Sequence, residues 1–252
     1  MLMRFFVESK DITEDTIILS AEDSRHIRSM RLRPDEIFIV CDSAGTDYVC
    51  RLGAREDSTV AKIIERRQSL GEPTIDCTIY IAYAKGERLD YAVQKSVELG
   101  AHEIILYKAK RCVAVPNNIP KKIERLQKIA LETAKQCDRG IIPKVANGGE
   151  FETILSASTK NSDLSLLCYE SEKKSHLKEV LDRHLSPPYE NEASDVKSIA
   201  IITGPEGGFE SSEVELAKSK DVQIVSLGPR ILRSETAPVV ALTAIMYHTE
   251  NL

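Results

Sequence analysis

The chain has no CxxC pair, no HxxxH spacing and no apolar run near the length a bilayer demands, and each absence narrows what it can be. Six cysteines (Cys41, Cys50, Cys77, Cys112, Cys137, Cys168) are scattered over 252 residues. That spacing speaks against a disulfide framework and paired metal ligands, and leaves the cysteines as small buried hydrophobes. Five histidines without ligand spacing argue likewise against a bound metal. Met1 to Val7 contains a basic residue, but no apolar segment follows, so neither secretion nor a membrane partner is expected and the protein is read as cytoplasmic. Internal repeats and low-complexity tracts are missing too. An excess of positive charge is also lacking, with 34 Lys and Arg against 39 Asp and Glu and a net charge of -5, which would ordinarily count against a nucleic-acid partner.

Local clustering reverses that last inference. Arg25, Arg28, Arg31 and Arg33 fall within nine residues with no acid among them before Asp35, and such a group repels itself unless an anion faces it. A second cluster, Lys121, Lys122, Arg125 and Lys128, sits on an expected helix. It reads equally as an RNA-facing surface or as a solvated helix face.

Up to about Leu70 the pattern is of short apolar runs broken by turn residues: Thr16 to Leu19, Glu36 to Cys41, Asp47 to Leu52 and Thr59 to Ile64, with turns at Arg33-Pro34-Asp35 and Ser43-Ala44-Gly45. Together with one brief helix, Ala21 to Met30, capped by Ser20, they indicate a small β-barrel. After the polar stretch Gln68 to Pro73 the pattern changes to α/β. Strand Asp76 to Ala84 leads to helix Glu87 to Leu99, closed by Gly100, then strand Glu103 to Tyr107 and helix Lys121 to Cys137. Leu89, Val93 and Val97 repeat at four-residue spacing, one face packing on a sheet. Further strands are expected at Leu164 to Tyr169, Ile199 to Thr203 and Val222 to Leu227, with an exposed loop over 186–197. Alternation of this kind means a largely parallel sheet with crossover helices.

The two loops after the last strands carry the chemistry. Gly204-Pro205-Glu206-Gly207-Gly208 follows an apolar strand and precedes a helix for which Ser212 and Glu215 supply a capping box. No Gly-Lys-Ser/Thr ending or GxGxxG order is present, and Glu206 would repel a phosphate. The loop therefore suits a nucleoside without phosphates, approached closely by backbone, or else it is only a tight strand-to-helix turn. Without a phosphate loop, a dinucleotide oxidoreductase is the least favoured function. The next loop, Leu227-Gly228-Pro229-Arg230-Ile231-Leu232-Arg233-Ser234-Glu235-Thr236-Ala237, sets two apolar residues between two arginines. These can flank a flat ring while the arginines face anionic groups or bridge to Glu206 or Glu235. The last helix, from Ala237 to Tyr247, tolerates Pro238 in its first turn and is apolar over most of its circumference, which implies deep burial or a subunit interface.

GPEGGF, LGPRILRSETA, the Gln94–Gly100 helix segment QKSVELG, the ETAKQCDRGIIP stretch from Glu132 to Pro143, and the MRFFV and HIRSMRLRPDE segments together resemble the RsmE family, small-subunit ribosomal RNA methyltransferases of the SPOUT superfamily. The likeness spans essentially the whole chain; Phe209-Glu210 is a small departure, since the family often has a small polar residue after the aromatic. The resemblance implies an α/β fold with two domains. Residues 1–71 would form a PUA-like β-barrel that binds RNA. Residues 72–252 would form a SPOUT domain with a deep trefoil knot, an exception to the rule that chains are unknotted, which binds cofactor and makes a homodimer. The implied reaction is methylation by S-adenosylmethionine of N3 of a uridine, uridine 1498 of 16S rRNA in the 30S subunit, with no metal.

The same resemblance sets the cofactor against Tyr169, Glu170, Thr203, Gly204, Glu206, Gly207, Gly208, Leu227, Gly228, Ile231, Leu232, Arg233 and Thr236. Removing the N3 proton, or stabilising the anion, falls to Arg233 with Glu235 or Glu98. RNA contacts are expected at Arg4, Arg25, Arg28, Arg31 and Arg33, with Lys85, Arg88, Arg111, Gln136 and Arg139 nearer the target base. A SPOUT enzyme with another rRNA base or a ribose 2'-hydroxyl as target, and a non-catalytic assembly factor, are the competing functions.

Overall fold

Alternating apolar residues in the first seventy positions build a five-stranded sheet. The computed structural model describes residues 2–33, 36–52, 60–185 and 196–252; Pro34 and Asp35 of one expected turn, Thr59 of one expected strand and 186–195 of the expected loop lie outside the described residues. The chain divides into two compact units, Met1–Glu72 with Glu132–Ile142, and Pro73–Leu131 with Pro143–Leu252. The stretch Glu132–Ile142, read from sequence with the second domain, thus counts with the first unit.

In the first unit β1 (Arg4–Phe6), β2 (Thr16–Ile18), β3 (Ile37–Cys41), β4 (Thr46–Leu52) and β5 (Val60–Gln68) run in the order β1-β3-β4-β5-β2. Only β1 and β3 are parallel, so the sheet is mixed, a half-barrel with edges at β1 and β2. Helix α1 (Ala21–Ser29) packs Ile27 onto one face with Phe5, Phe38, Val40, Cys50 and Ala61. Phe5 meets Phe38 edge to face at 5.7 Å. Ser20 caps α1 as expected, its Oγ accepting from Asp23 N at 3.0 Å.

The other face carries a buried polar network. Arg4, 8 % exposed, donates from Nη1 and Nη2 to the two carboxylate oxygens of Asp47 at 2.7 and 3.0 Å, and from Nη1 to the Arg139 carbonyl at 3.3 Å. Ser69 Oγ adds a hydrogen bond to Asp47 at 2.6 Å. Arg139, 3 % exposed, pairs with Glu72 at 2.6 Å, and Glu72 Oε1 also accepts from Gly140 N and Ile141 N. Arg4 and Arg139, expected to touch RNA, are instead withdrawn from solvent and paired with acids. Bidentate pairing of a planar guanidinium with a carboxylate is what makes their burial tolerable.

The second unit holds a six-stranded parallel sheet, with β6 (Asp76–Ala82), β7 (Glu103–Lys108), β8 (Lys144–Glu150), β9 (Leu164–Cys168), β10 (Ser198–Thr203) and β11 (Gln223–Val225) in the order β11-β9-β10-β6-β7-β8. Between them come α2 (Arg88–Glu98), α3 (Ile119–Gln136), α4 (Phe151–Asn161), α5 (Leu177–His184), α6 (Ser211–Ser219) and, last, α7 (Thr236–His248). Gly100, with φ of +89°, closes α2 as expected, Ala101 N reaching back to Ser96 O at 2.9 Å. Strand β8 escaped the sequence reading because KVANGGE neither alternates nor contains aromatic residues. Gly148 serves packing there, since a Cβ would lie 2.5 Å from Ile154 of α4.

One expected cap moves. Helix α6 is capped not by Ser212 with Glu215 but by Glu210, whose N donates to Glu213 Oε2 at 2.9 Å. Glu213 is buried because Lys110 N occupies its other oxygen at 2.9 Å, while the exposed Glu215 turns to Lys218. Helix α7 buries Ala241, Leu242, Ile245 and Met246, and leaves Val239 and Val240 half-buried and Tyr247 exposed.

Removing one partner of the buried pair strands a charge, so Arg4→Ala is expected to cost roughly 3–5 kcal/mol in urea denaturation. Burial pushes the Asp47 carboxyl up, but hydrogen bonds from Arg4, Ser69 and Cys41 outweigh it and hold the group below its ordinary value. A depressed folded pKa contributes stability that is fully present above the unfolded value, about 3.9, and is lost as pH falls through the folded one. Asp47→Asn should therefore flatten the acid limb of a stability-against-pH curve.

Candidate functional site

Parallel pairing sets Thr203 opposite Cys168, and Cys168 opposite Val225. Strands β9, β10 and β11 therefore end at one level, and the segments that follow them converge on one crevice at the carboxyl edge of the sheet, the usual ligand position in open α/β folds. The cleft measures about 390 Å³, a volume suited to a small organic ligand. Tyr169 and Glu170 form one side, Gly204, Glu206, Gly207 and Gly208 the second, and Leu227, Gly228, Ile231, Leu232, Arg233 and Glu235 the third, with Arg88 at the rim.

The glycines are dictated by close packing. A Cβ on Gly204 would lie 2.9 Å from the ring of Phe209, itself buried, and one on Gly207 would lie 2.9 Å from Arg111 Cβ and 3.1 Å from its carbonyl. Gly208 has a φ of +67° and Gly228 of +116°, conformations that side chains other than hydrogen resist.

Glu206 dominates the electrostatics. Its Oε1 accepts from Lys85 N at 2.9 Å and from Arg88 Nη1 at 2.6 Å, whereas its buried Oε2 has no partner among the described residues. Burial raises its pKa, yet the amide of Lys85, its own amide and Arg88 together lower it below the ordinary value, so the loop presents a carboxylate. Arg88 Nε also stands 3.8 Å from Glu235, whose Oε2 accepts from Ser234 Oγ at 3.2 Å. The acids open to Arg230 and Arg233 are thus taken by Arg88. Arg233 is exposed, and among the described residues its guanidinium has no acid partner. Cys168, also lining the cleft, is pushed by burial to about 12 and forms neutral wall.

Three expected residues lie elsewhere. Thr203 is buried below the cleft floor, its carbonyl accepting from Tyr107 OH at 2.9 Å and its hydroxyl bonded to the Tyr80 carbonyl. Thr236 opens α7, and its N donates to Arg233 O at 2.9 Å, fixing the turn behind the arginine. Glu98 pairs with Lys95 at 2.8 Å and stands ten residues, about 15 Å, along α2 from Arg88. Conversely Cys168, Pro205, Arg230, Ser234 and Ala237 line the cleft without having been counted as cofactor residues. Each adjoins one that was, so adjacency along the loops was the available signal.

The surface arginines divide. Arg25, Arg28, Arg31 and Arg33 are exposed, although Arg33 pairs with Glu36 at 3.0 Å and Arg28 Nε donates to Ser24 O. Lys85 and Gln136 are exposed, and Arg111 Nη1 donates to the Gly207 carbonyl at 3.3 Å. The Lys121 cluster resolves as a salt-bridged helix face: Lys122 and Arg125 both meet Asp90, at 3.3 and 2.6 Å, and Lys128 meets Glu124. Among the described residues no group of three or more His, Cys, Asp or Glu is arranged to hold a metal, and no helix is long and apolar enough to cross a membrane.

The family described as RNA methyltransferase domain matches residues 71–246, and that described as RNA methyltransferase PUA domain matches 19–65. The chain is 33 % identical over 258 residues to the ribosomal RNA small subunit methyltransferase E of Bacillus subtilis, covering 100 % of this chain and 98 % of that protein. It is 30 % identical to the protein of the same name in Mesomycoplasma hyopneumoniae, with 96 % and 98 % covered. Among solved structures, the Neisseria gonorrhoeae ribosomal RNA small subunit methyltransferase E bound to S-adenosyl methionine superposes with a TM-score of 0.80 over 98 % of both chains at 26 % identity.

Because Phe209 fills the space a Cβ would need, Gly204→Ala is expected to destabilise the protein by roughly 1–3 kcal/mol through overpacking. Thermal denaturation against Gly86→Ala, a position where an added Cβ would meet nothing within 4 Å but where φ is +70°, separates the packing cost from backbone strain.

Proposed function

The chain belongs to the ribosomal RNA small subunit methyltransferase E family, and from that premise we propose that it methylates N3 of a uridine in 16S rRNA, with S-adenosylmethionine as methyl donor. The observation that carries the reading is the cleft itself. A carboxylate held by one oxygen, with the other buried and unpartnered among the described residues, asks for a donor from a ligand and repels phosphate. A nucleoside with hydroxyl donors and a positively charged sulfonium and ammonium suits Glu206, Glu170 and Glu235, all lining the cleft. When bound, such a cofactor supplies an activated methyl group.

The chain's own residues then have three tasks. Gly204, Gly207, Gly208, Leu227 and Leu232 hold and orient the ligand, Ile231 closes over it, and Thr203 and Thr236 anchor the loops from behind. Arg233, without an acid partner among the described residues, faces negative charge developing on the uracil carbonyls as the N3 proton leaves. Glu235, steadied by Ser234 and Arg88, orients that arginine or accepts the proton; Glu98 is too far along α2 to do either within one chain. Arg25, Arg28, Arg31, Arg33, Lys85, Arg111 and Gln136 remain the RNA contacts, while Arg88 is engaged by the cleft's acids.

We assign RNA binding to 1–71 and cofactor binding and dimerisation to 72–252. The half-exposed apolar side of α7, with Tyr247, supports a homodimer seam, and the return of the chain after β11 to α7 supports a trefoil knot. The 30S subunit as substrate implies a cytoplasmic enzyme.

Transfer of labelled methyl from S-adenosylmethionine to 30S subunits lacking the mark, followed by mass analysis of the nucleosides, tests this directly. N3-methyluridine is the expected product; a methylated ribose, another base or no transfer overturns it. Arg233→Ala should lower kcat about 10²–10³-fold while cofactor affinity, measured by calorimetry, changes little; wild-type turnover would remove Arg233 from the chemistry.

A further inference from the structure

The outer face of the first unit's sheet changes character along its length. Toward one end it is covered by the Arg4, Asp47 and Arg139 network, with Ile39, Cys41 and Val49 beneath. Toward the other end it lies open. Ile37, Arg51 and Lys62 stand opposite one another across β3, β4 and β5, and Lys62 stands opposite Thr16 of β2, so their side chains share one face. Ile18 alternates onto the same face, Ile64 is the extra residue where the β4–β5 register shifts, next to Glu65 of that face, and Ile18, Ile37 and Ile64 are 54, 42 and 53 % exposed.

The residues between them, Ile17, Phe38, Cys50, Ala61 and Ile63, point the opposite way into the core under α1. This open face is thus the reverse of the one that α1 covers, and is distinct from the Arg25, Arg28 and Arg31 surface.

Charge decides what such a face is for. Arg51 and Lys62 are directly opposed, an arrangement that destabilises a sheet by like-charge repulsion. Arg67 lies on the same face opposite Asp47, whose carboxylate is taken by Arg4. Among the described residues none of these three cations has an ion-pair partner, and Glu65, opposite Val49 on that face, bridges to none of them. Neither cation of the opposed pair guards an edge, where lone charges protect a sheet from misassociation: β4 is the middle strand and β5 is flanked by β4 and β2. Three cations without ion-pair partners among the described residues, interleaved with three exposed isoleucines, present both a phosphate-binding stripe and an apolar platform for sugars and bases.

We infer that the open face bearing Arg51, Lys62 and Arg67 with Ile18, Ile37 and Ile64 is a second RNA-binding surface of the first unit, taking a single-stranded segment of the substrate RNA on the side of the sheet away from α1. This rests on the reading of the chain as an rRNA methyltransferase.

The test uses the full chain and two probes, protein-free 16S rRNA and 30S subunits lacking the mark. Arg51→Gln/Lys62→Gln, with unchanged thermal stability and cofactor affinity, should raise KM for RNA several-fold at constant kcat. It should also reduce the slope of log affinity against log salt by about 1.4, that is, about 0.7 for each single-strand phosphate no longer neutralised. Ile64→Ser should weaken binding with the slope unchanged. Unaltered KM and slope in the double variant overturn the inference. So does a loss confined to 30S particles with protein-free rRNA bound as before, which would point to a ribosomal protein on this face. Failure of the wild-type chain to methylate 30S subunits would instead sink the functional reading, leaving the RNA-affinity measurements to judge the face by themselves.

Discussion

The in-register parallel pairing of β9, β10 and β11 is the constraint on which the site depends. Because Cys168, Thr203 and Val225 are fixed side by side, three loops far apart in sequence must leave the sheet at the same level. No single loop could form the cleft. Tyr169 and Glu170 come from one, the glycine loop from the second and the arginine loop from the third, and a slip of register in any strand would carry its loop out of reach. The strands themselves are apolar on both faces, as a sheet covered on both sides requires, so hydrophobic burial enforces the register that the polar loops exploit.

Arginine does three different jobs in this chain, and its surroundings decide which. Arg4 and Arg139 are buried and paired with Asp47 and Glu72, and they bind Glu132–Ile142 into the first unit's polar network. Arg88, half-exposed, organises two acids of the cleft. Arg233 has no acid partner among the described residues and lines the cleft. A guanidinium that is already bidentate with a carboxylate has little left to offer a phosphate, and that is why Arg4 and Arg139 leave the set of RNA contacts.

Much of the site was legible in the sequence. The absence of a phosphate signature, the acid inside a glycine loop and the apolar pair between two arginines all survive in the structure as neighbours in one cleft. The helix stop at Gly100 and the start at Ser20 were also legible, because caps are written in local residues. Strand β8 was not, since Gly148 serves the approach of α4 and Gly149 takes a φ of +79° rather than either favouring a strand. The cap of α6 was misplaced by two residues because Glu213 is claimed by Lys110, a partner 103 positions away that no local pattern reveals.

By itself, then, the sequence determined most of the element types, the two loops and their chemistry, and the family to which they belong, for these rest on local backbone preference and on motifs contiguous in the chain. Only the tertiary structure decided which charges are spent and which are free. Arg4 and Arg233 are the same residue type, yet one is neutralised by Asp47, 43 positions distant, and the other stands open at the cleft. Pairing across such distances is set by strand register and burial, and neither is written in the neighbours of either arginine.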